Sequence, residues 1–177
     1  MVQEKLINGN LDFLNDRCNG DYSLYIREDK TNNGQHPFAI VITCSDSRVV
    51  PEIIFNASLG DLFVIRVAGN VVGDYELSSV AYALKHLNTK CVLVLGHTNC
   101  GAIEAALSNH DAGKARPLVN NIRRAINGIL DKDEATKANI LNSLNTIKNH
   151  FKKDKDLAQI EYFSAIYEID SGAVKFL

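Results

Sequence analysis

Two cysteines and a histidine stand just past two apolar runs. Cys44-Ser45-Asp46-Ser47-Arg48 follows FAIVIT (Phe38–Thr43), and His97-Thr98-Asn99-Cys100-Gly101 follows CVLVLG (Cys91–Gly96). Each run reads as a buried β-strand. Two such strand ends lying side by side would bring Cys44, His97 and Cys100 together. Two thiolates and one imidazole suit Zn²⁺. They leave the fourth tetrahedral position open, whereas a structural zinc site normally fills all four. An open position points to catalysis on a metal-bound water.

Zinc can lower the pKa of a bound water from about 15.7 to about 7. Two thiolates work against this, because they add negative charge at the metal. Asp46 and Arg48 share a loop with Cys44 and are the candidates to compensate. A carboxylate beside an arginine stays ionised and fixed in orientation. Asp46 could accept a hydrogen bond from a zinc-bound hydroxide, or swing in as a fourth ligand and switch the site off. Gly96 is expected to let the chain turn sharply into the site, and Gly101 to permit close approach after it.

The elements that would position these residues alternate between strand and helix. Residues 3–18 carry Leu6, Leu11, Leu14 and Cys18 at loosely helical spacing, and a second helical stretch is expected near Tyr22–Glu28. Thr31-Asn32-Asn33-Gly34 reads as a loop. Further strands are expected at Leu62–Val67, Ile160–Ile169 and Ala173–Leu177, and helices at Asp74–Leu87 and Gly101–Leu107. Lys114 to about Lys153 reads as two helices. One has the stripe Leu118, Ile122, Ile126 and Ile129, and the other has Ile140, Leu144, Ile147 and Phe151. The order predicts an α/β fold: a mostly parallel central β-sheet flanked by helices, with an N-terminal helical arm over residues 1–30. The whole chain, 1–177, reads as one domain. Such sheets bind ligands outside the carboxyl ends of their strands, where both cysteine motifs fall.

Bulk properties exclude several classes. A net charge of −2 with no basic block argues against nucleic acid or an anionic membrane as partner. No apolar stretch approaches the roughly 18 residues needed to span a bilayer. MVQEKLINGN has no apolar signal core, so a cytoplasmic location is expected. In that reducing setting, four scattered cysteines do not make a disulfide scaffold. Cys91 reads as a small core hydrophobe and Cys18 as a structural or surface residue.

With these residues assembled, the chain resembles the β-class carbonic anhydrases. The matching segments are CSDSRVVPEIIF (Cys44–Phe55), GDLFVIRVAGNVV (Gly60–Val72), SSVAYALKHL (Ser78–Leu87), VLVLGHTNCGAIEAAL (Val92–Leu107) and YEIDSGAVKFL (Tyr167–Leu177). The resemblance is weakest over 114–157. It implies zinc-dependent, reversible hydration of CO₂ to bicarbonate and a proton, by attack of zinc-bound hydroxide on CO₂. It implies one Zn²⁺ on Cys44, His97 and Cys100, with Asp46 and Arg48 as a catalytic pair. It also implies Gln35 as a donor to substrate or bicarbonate, and Phe63 and Tyr82 as lining of a CO₂ pocket. The same resemblance implies a homodimer or homotetramer with the site at the dimer interface, and an N-terminal helix that embraces the partner. Three departures stand out: Ala81 where the family has Glu, Val67 where it commonly has Asn, and no tryptophan. His36 and His86 are candidates to carry protons, while His110 and His150 read as solvated. Two rivals stay open: a carbonyl sulfide or carbon disulfide hydrolase, and a zinc-stabilised binding or sensor protein without turnover.

Overall fold

The computed structural model describes residues 1–108, 111–154, 157 and 159–177. His110 lies outside them. Four parallel strands form the centre: β1 (Ala39–Thr43), β2 (Leu62–Arg66), β3 (Cys91–His97) and β4 (Glu161–Tyr167). Their order is β2-β1-β3-β4, and β5 (Val174–Phe176) closes the β4 edge antiparallel. The expected mostly parallel α/β sheet is therefore the one formed. β1 and β3 are buried along their whole length. That is why they read as unbroken apolar runs and not as alternating ones.

Helices cover both faces. On one face, α1 (Val2–Leu14) and α3 (Pro51–Ile54) bring Leu6, Ile54 and neighbouring Phe55 onto Val41, Leu93 and Leu95. On the other, α4 (Asp74–His86) and α7 (Lys132–Phe151) cover Ile40, Ile42, Val92 and Val94. The expected stripe Ile140, Leu144, Ile147 and Phe151 is buried there. Each such side chain contributes about 1.5–3 kcal/mol by leaving water. A third cluster sits beyond the strand ends, where α5 (Gly101–Leu107) and α6 (Arg116–Ile126) pack around Cys44 and Cys100. In α6 the buried face is Val119, Ile122 and Ile126, while Leu118 and Ile129 are only partly buried. The helix ends at Ile126, so Ile129 cannot continue its stripe.

The strand order places the site. β1 leads into α3 on one face, and β3 leads towards α7 on the other. The chain therefore departs in opposite directions from two adjacent strands, which opens a crevice at their carboxyl ends.

Strand ends and the end of α4 fall within two residues of expectation, and two helix ends differ by more. α2 (Leu24–Asn33) runs through Thr31-Asn32-Asn33, because Ser23 caps its start and Gly34 (φ 75°) supplies the stop. α1 ends at Leu14, not at Cys18. It is seated on its own chain: Asn10 Nδ2 donates to the carbonyls of Ile54 (3.2 Å) and Gly172 (2.9 Å), and Asn10 Oδ1 accepts from Val174 N–H (2.9 Å). Gly9 allows this approach, since a Cβ there would run into the Phe55 carbonyl. Gly9→Ala is expected to cost about 1–3 kcal/mol by overpacking a backbone contact, read from the denaturant midpoint. An unchanged midpoint would show that α1 is not held this way.

Candidate metal centre

Cys44 is the first residue past β1, and His97 is the last residue of β3. The register pairs Thr43 with Leu95, so Cys44 emerges opposite Gly96 and beside His97. A left-handed Asn99 (φ 54°) then turns the chain, and Cys100 becomes the residue that opens α5. The three ligand atoms lie within 4.8 Å of one another, and all three residues are buried. The two sulfurs are 4.0 Å apart. Two sulfurs at about 2.3 Å from one tetrahedral zinc would be about 3.8 Å apart. Among the described residues this is the one His/Cys/Asp/Glu cluster so placed.

The histidine is prepared for a metal. Its Nδ1 lies 2.8 Å from the Thr98 carbonyl. A carbonyl only accepts, so Nδ1 carries the proton and Nε2 keeps its lone pair. Nε2 is buried and has no hydrogen-bond partner. An interior lone pair aimed at two sulfurs is costly unless a cation receives it.

The thiols act as a pair. Cys100, hydrogen-bonded to Cys44, pulls the Cys44 thiol far down, and the same contact pushes Cys100 up. Two bare thiolates at this distance would repel. Cys44 Sγ also accepts from Gly69 N–H at 3.2 Å. The Ala102 and Ile103 N–H groups at the start of α5 favour the Cys100 thiolate. A divalent cation would neutralise both sulfurs, so the donor set fits zinc. All four cysteines are free; Cys91 is buried and Cys18 exposed, and burial pushes the Cys91 thiol up to about 12.

Asp46 and Arg48 form a forked pair. Arg48 Nε donates to Asp46 Oδ1 at 3.0 Å and Nη2 to Oδ2 at 2.8 Å, while the Arg48 N–H also reaches Oδ1 at 3.0 Å. These bonds hold the Asp46 carboxyl well below the usual carboxylate range, against a smaller opposing effect of burial. Arg66 at the end of β2 secures the same loop, with Nε to the Cys44 carbonyl (3.1 Å) and Nη2 to the Asp46 carbonyl (2.6 Å). Sequence reasoning gave Arg66 no role. An arginine closing an apolar strand was the available signal.

The other expected residues lie elsewhere. Gln35 is exposed in the segment entering β1, and Phe63 pairs with Ile40 near the start of β2. Tyr82 packs on Phe63 (6.3 Å between centroids) and on His86 (5.2 Å). Cys44 lies four residue steps along the strand from Ile40, about 13 Å. This chain therefore does not bring Gln35, Phe63 and Tyr82 to its own Cys44. His36 also lies at that end, and His36, His86 and His150 are exposed. Gly96 and Gly101 act differently from expectation. Gly96 stays within β3, and its missing side chain admits Ile140 of α7. A Cβ at Gly101 would meet nothing.

The chain is also similar to known proteins. A family model described as carbonic anhydrase matches residues 39–174. The chain is 51% identical over 75 residues to carbonic anhydrase 2 of Mycobacterium tuberculosis, covering 42% of this chain and 36% of that protein. It is 32% identical over 164 residues to a Pseudomonas aeruginosa carbonic anhydrase, covering 81% and 74%. The β-carbonic anhydrase of Coccomyxa superposes with a TM-score of 0.75 at 27% identity, covering 86% of this chain and 81% of that one. The chain spans less than two thirds of the length of several curated relatives it matches. No helix among the described residues is long and apolar enough to cross a membrane.

Cys44→Ala, His97→Ala and Cys100→Ala are each expected to reduce zinc uptake from one ion per chain to a small fraction, measured by elemental analysis after dialysis. Cys18→Ser should leave uptake intact. Full uptake in any ligand variant would contradict the assignment.

Proposed function

This chain belongs to the β-carbonic anhydrase family, and from that membership we propose that it catalyses the reversible hydration of CO₂ to bicarbonate and a proton. The observation that carries this reading is the convergence of Cys44 Sγ, Cys100 Sγ and an unpartnered His97 Nε2. Zinc held there would supply Lewis acidity, lowering the pKa of a bound water from about 15.7 towards 7.

The chain's own groups do the remaining work. Asp46 is acceptor-only, and Arg48 fills three of its four lone-pair positions. The remaining position on Oδ2 can take one O–H donor and fix its direction. Arg48 keeps that carboxylate ionised and oriented, and Arg66 anchors the backbone that carries it, so little reorganisation is needed as the reaction proceeds. The N–H groups of Gly69, Ala102 and Ile103 draw charge from the two sulfurs, which offsets the cost of a two-thiolate centre.

Gln35, Phe63 and Tyr82 complete the reading only through a second copy. We assign them to a partner's centre in a homodimer or homotetramer. Phe63 and Tyr82 would line its CO₂ pocket, and Gln35 would donate to a substrate oxygen. The distance from Cys44 and the exposure of Gln35 and Tyr82 support this. The exposed Ile7, Leu11 and Leu14 of α1 offer an apolar face to such a partner. A reducing cytoplasm suits two ligand thiolates and an exposed Cys18.

Stopped-flow CO₂ hydration by zinc-quantified protein tests the reading, from about pH 6.5 to 9, a range around the ionisation of a zinc-activated water. Turnover is expected to rise with pH and to vanish on chelation. Asp46→Asn should keep zinc and fold while losing about 10- to 100-fold in rate. Dilution until the oligomer separates should abolish turnover with zinc retained. Zinc-loaded protein that never hydrates CO₂ sinks the reading, and turnover of carbonyl sulfide instead would replace it with the sulfur-gas hydrolase.

A further inference from the structure

Behind the metal centre lies a buried polar cluster that the proposed reaction does not use. Between β2 and α4 the chain makes a short turn, Ala68–Asn70. Gly69 (φ 66°) and Asn70 (φ 46°) are both left-handed there. Glycine adopts this backbone freely, but asparagine does so under strain, and such a residue persists where its surroundings over-determine it.

Two side chains of α7 do so. Asn139 Nδ2 donates to the Gly69 carbonyl at 2.7 Å, and Ser143 Oγ donates to the Asn70 carbonyl at 2.9 Å. The two lie one helical turn apart and are buried, at 1% and 2% exposure. From the other side, α5 and α6 close the turn. A Cβ on Gly69 would come within 2.8 Å of Ile122 Cδ1 and 3.0 Å of Ala102 Cβ. Held between these supports, the Gly69 N–H points at Cys44 Sγ, 3.2 Å away. The chain of contacts runs from α7 through the turn to a metal ligand.

A second observation says that the cluster is not there for burial. The rest of that buried helix face is mostly apolar, with Ala135, Ile140, Leu144 and Ile147 beside Thr136, whose hydroxyl bonds within its own helix. Asn139 Oδ1 and Asn70 Nδ2 are buried without a hydrogen-bond partner. Unmatched polar atoms in an apolar layer are unfavourable, and aliphatic side chains would pack there at less cost. An amide and a hydroxyl at these two positions need a task beyond packing, and the carbonyls they hold identify it.

We propose that Asn139 and Ser143 are positioning residues for the metal centre: by fixing the carbonyls of Gly69 and Asn70, they aim the Gly69 N–H at the Cys44 thiolate. The N–H withdraws electron density from that sulfur, which weakens its donation and leaves more positive charge on the metal. It also fixes the direction of the sulfur lone pairs. This rests on reading Cys44, His97 and Cys100 as the ligand set.

The test uses Co²⁺ in place of zinc, because cobalt bound by thiolate absorbs by sulfur-to-metal charge transfer. The energy of that band and the rate of metal release to a chelator are measured together. Asn139→Leu and Ser143→Ala should each move the band to lower energy, since a thiolate stripped of its N–H partner is easier to oxidise. Each should also release metal about 10-fold faster, because the lost orientation of the sulfur lone pairs outweighs the stronger donation of the bare thiolate. Ser143→Thr keeps the hydroxyl and should restore both readouts. Thr146→Ala removes a hydroxyl that, among the described residues, bonds the Asn142 carbonyl of its own helix, so it reports general damage to α7 and should change neither. Wild-type band energy and release rate in the folded variants, or an equal shift in Thr146→Ala, would overturn the proposal whatever happens to thermal stability. If Asn139→Leu does not fold, the Ser143 pair decides alone. Wild-type protein that takes up no Co²⁺ in a tetrahedral thiolate site would overturn the ligand assignment, and this proposal with it.

Discussion

The site depends on the pairing of β1 with β3. Thr43 opposite Leu95 brings Cys44 out of the sheet next to His97, and a tight turn then returns Cys100. Strand side chains alternate between faces, so a slip of one residue would send the ligand to the wrong side and expose the core set with it. The apolar contacts of Ile40, Ile42, Val92 and Val94 with α4 and α7 thus do two tasks. They bury the sheet, and they fix the register that gathers the three ligands from two distant segments of the chain.

Charge is the second constraint. Two thiolates near one metal lower its electrophilicity, and two thiolates without a metal repel. The surroundings answer at the sulfurs with N–H groups. Gly69 faces Cys44, and the first turn of α5 faces Cys100. The arginines act one layer out: Arg48 grips the Asp46 carboxylate, and Arg66 grips the backbone on both sides of Ser45. Each group is thereby left one function, whether ligand, hydrogen-bond acceptor or anchor.

Much of this was legible in the sequence because it is local. Strand-end cysteines, a histidine three residues before a cysteine, and an Asp-x-Arg beside a ligand all lie within short segments. The mostly parallel sheet was legible from alternating strand and helix patterns. What escaped reading depends on contacts across the fold. Asn139 meets Gly69 and Ser143 meets Asn70 over some seventy residues, and in sequence both look like polar interruptions of an apolar stripe. Gly96 looked like a turn residue because it precedes a ligand, yet the side chain it makes room for is Ile140. Gln35, Phe63 and Tyr82 carry no local signal of which copy's ligands they face; strand direction puts them at the opposite end of the sheet from Cys44.

The central claim is a three-ligand zinc centre with one exchangeable position. Zinc K-edge X-ray absorption on the loaded protein addresses it most directly. The account predicts two sulfurs at about 2.3 Å and two nitrogen or oxygen neighbours at about 2.0–2.1 Å, one of them replaced when a small anion is added. A shell with three or more sulfurs, or a four-coordinate shell that no added anion perturbs, would contradict it.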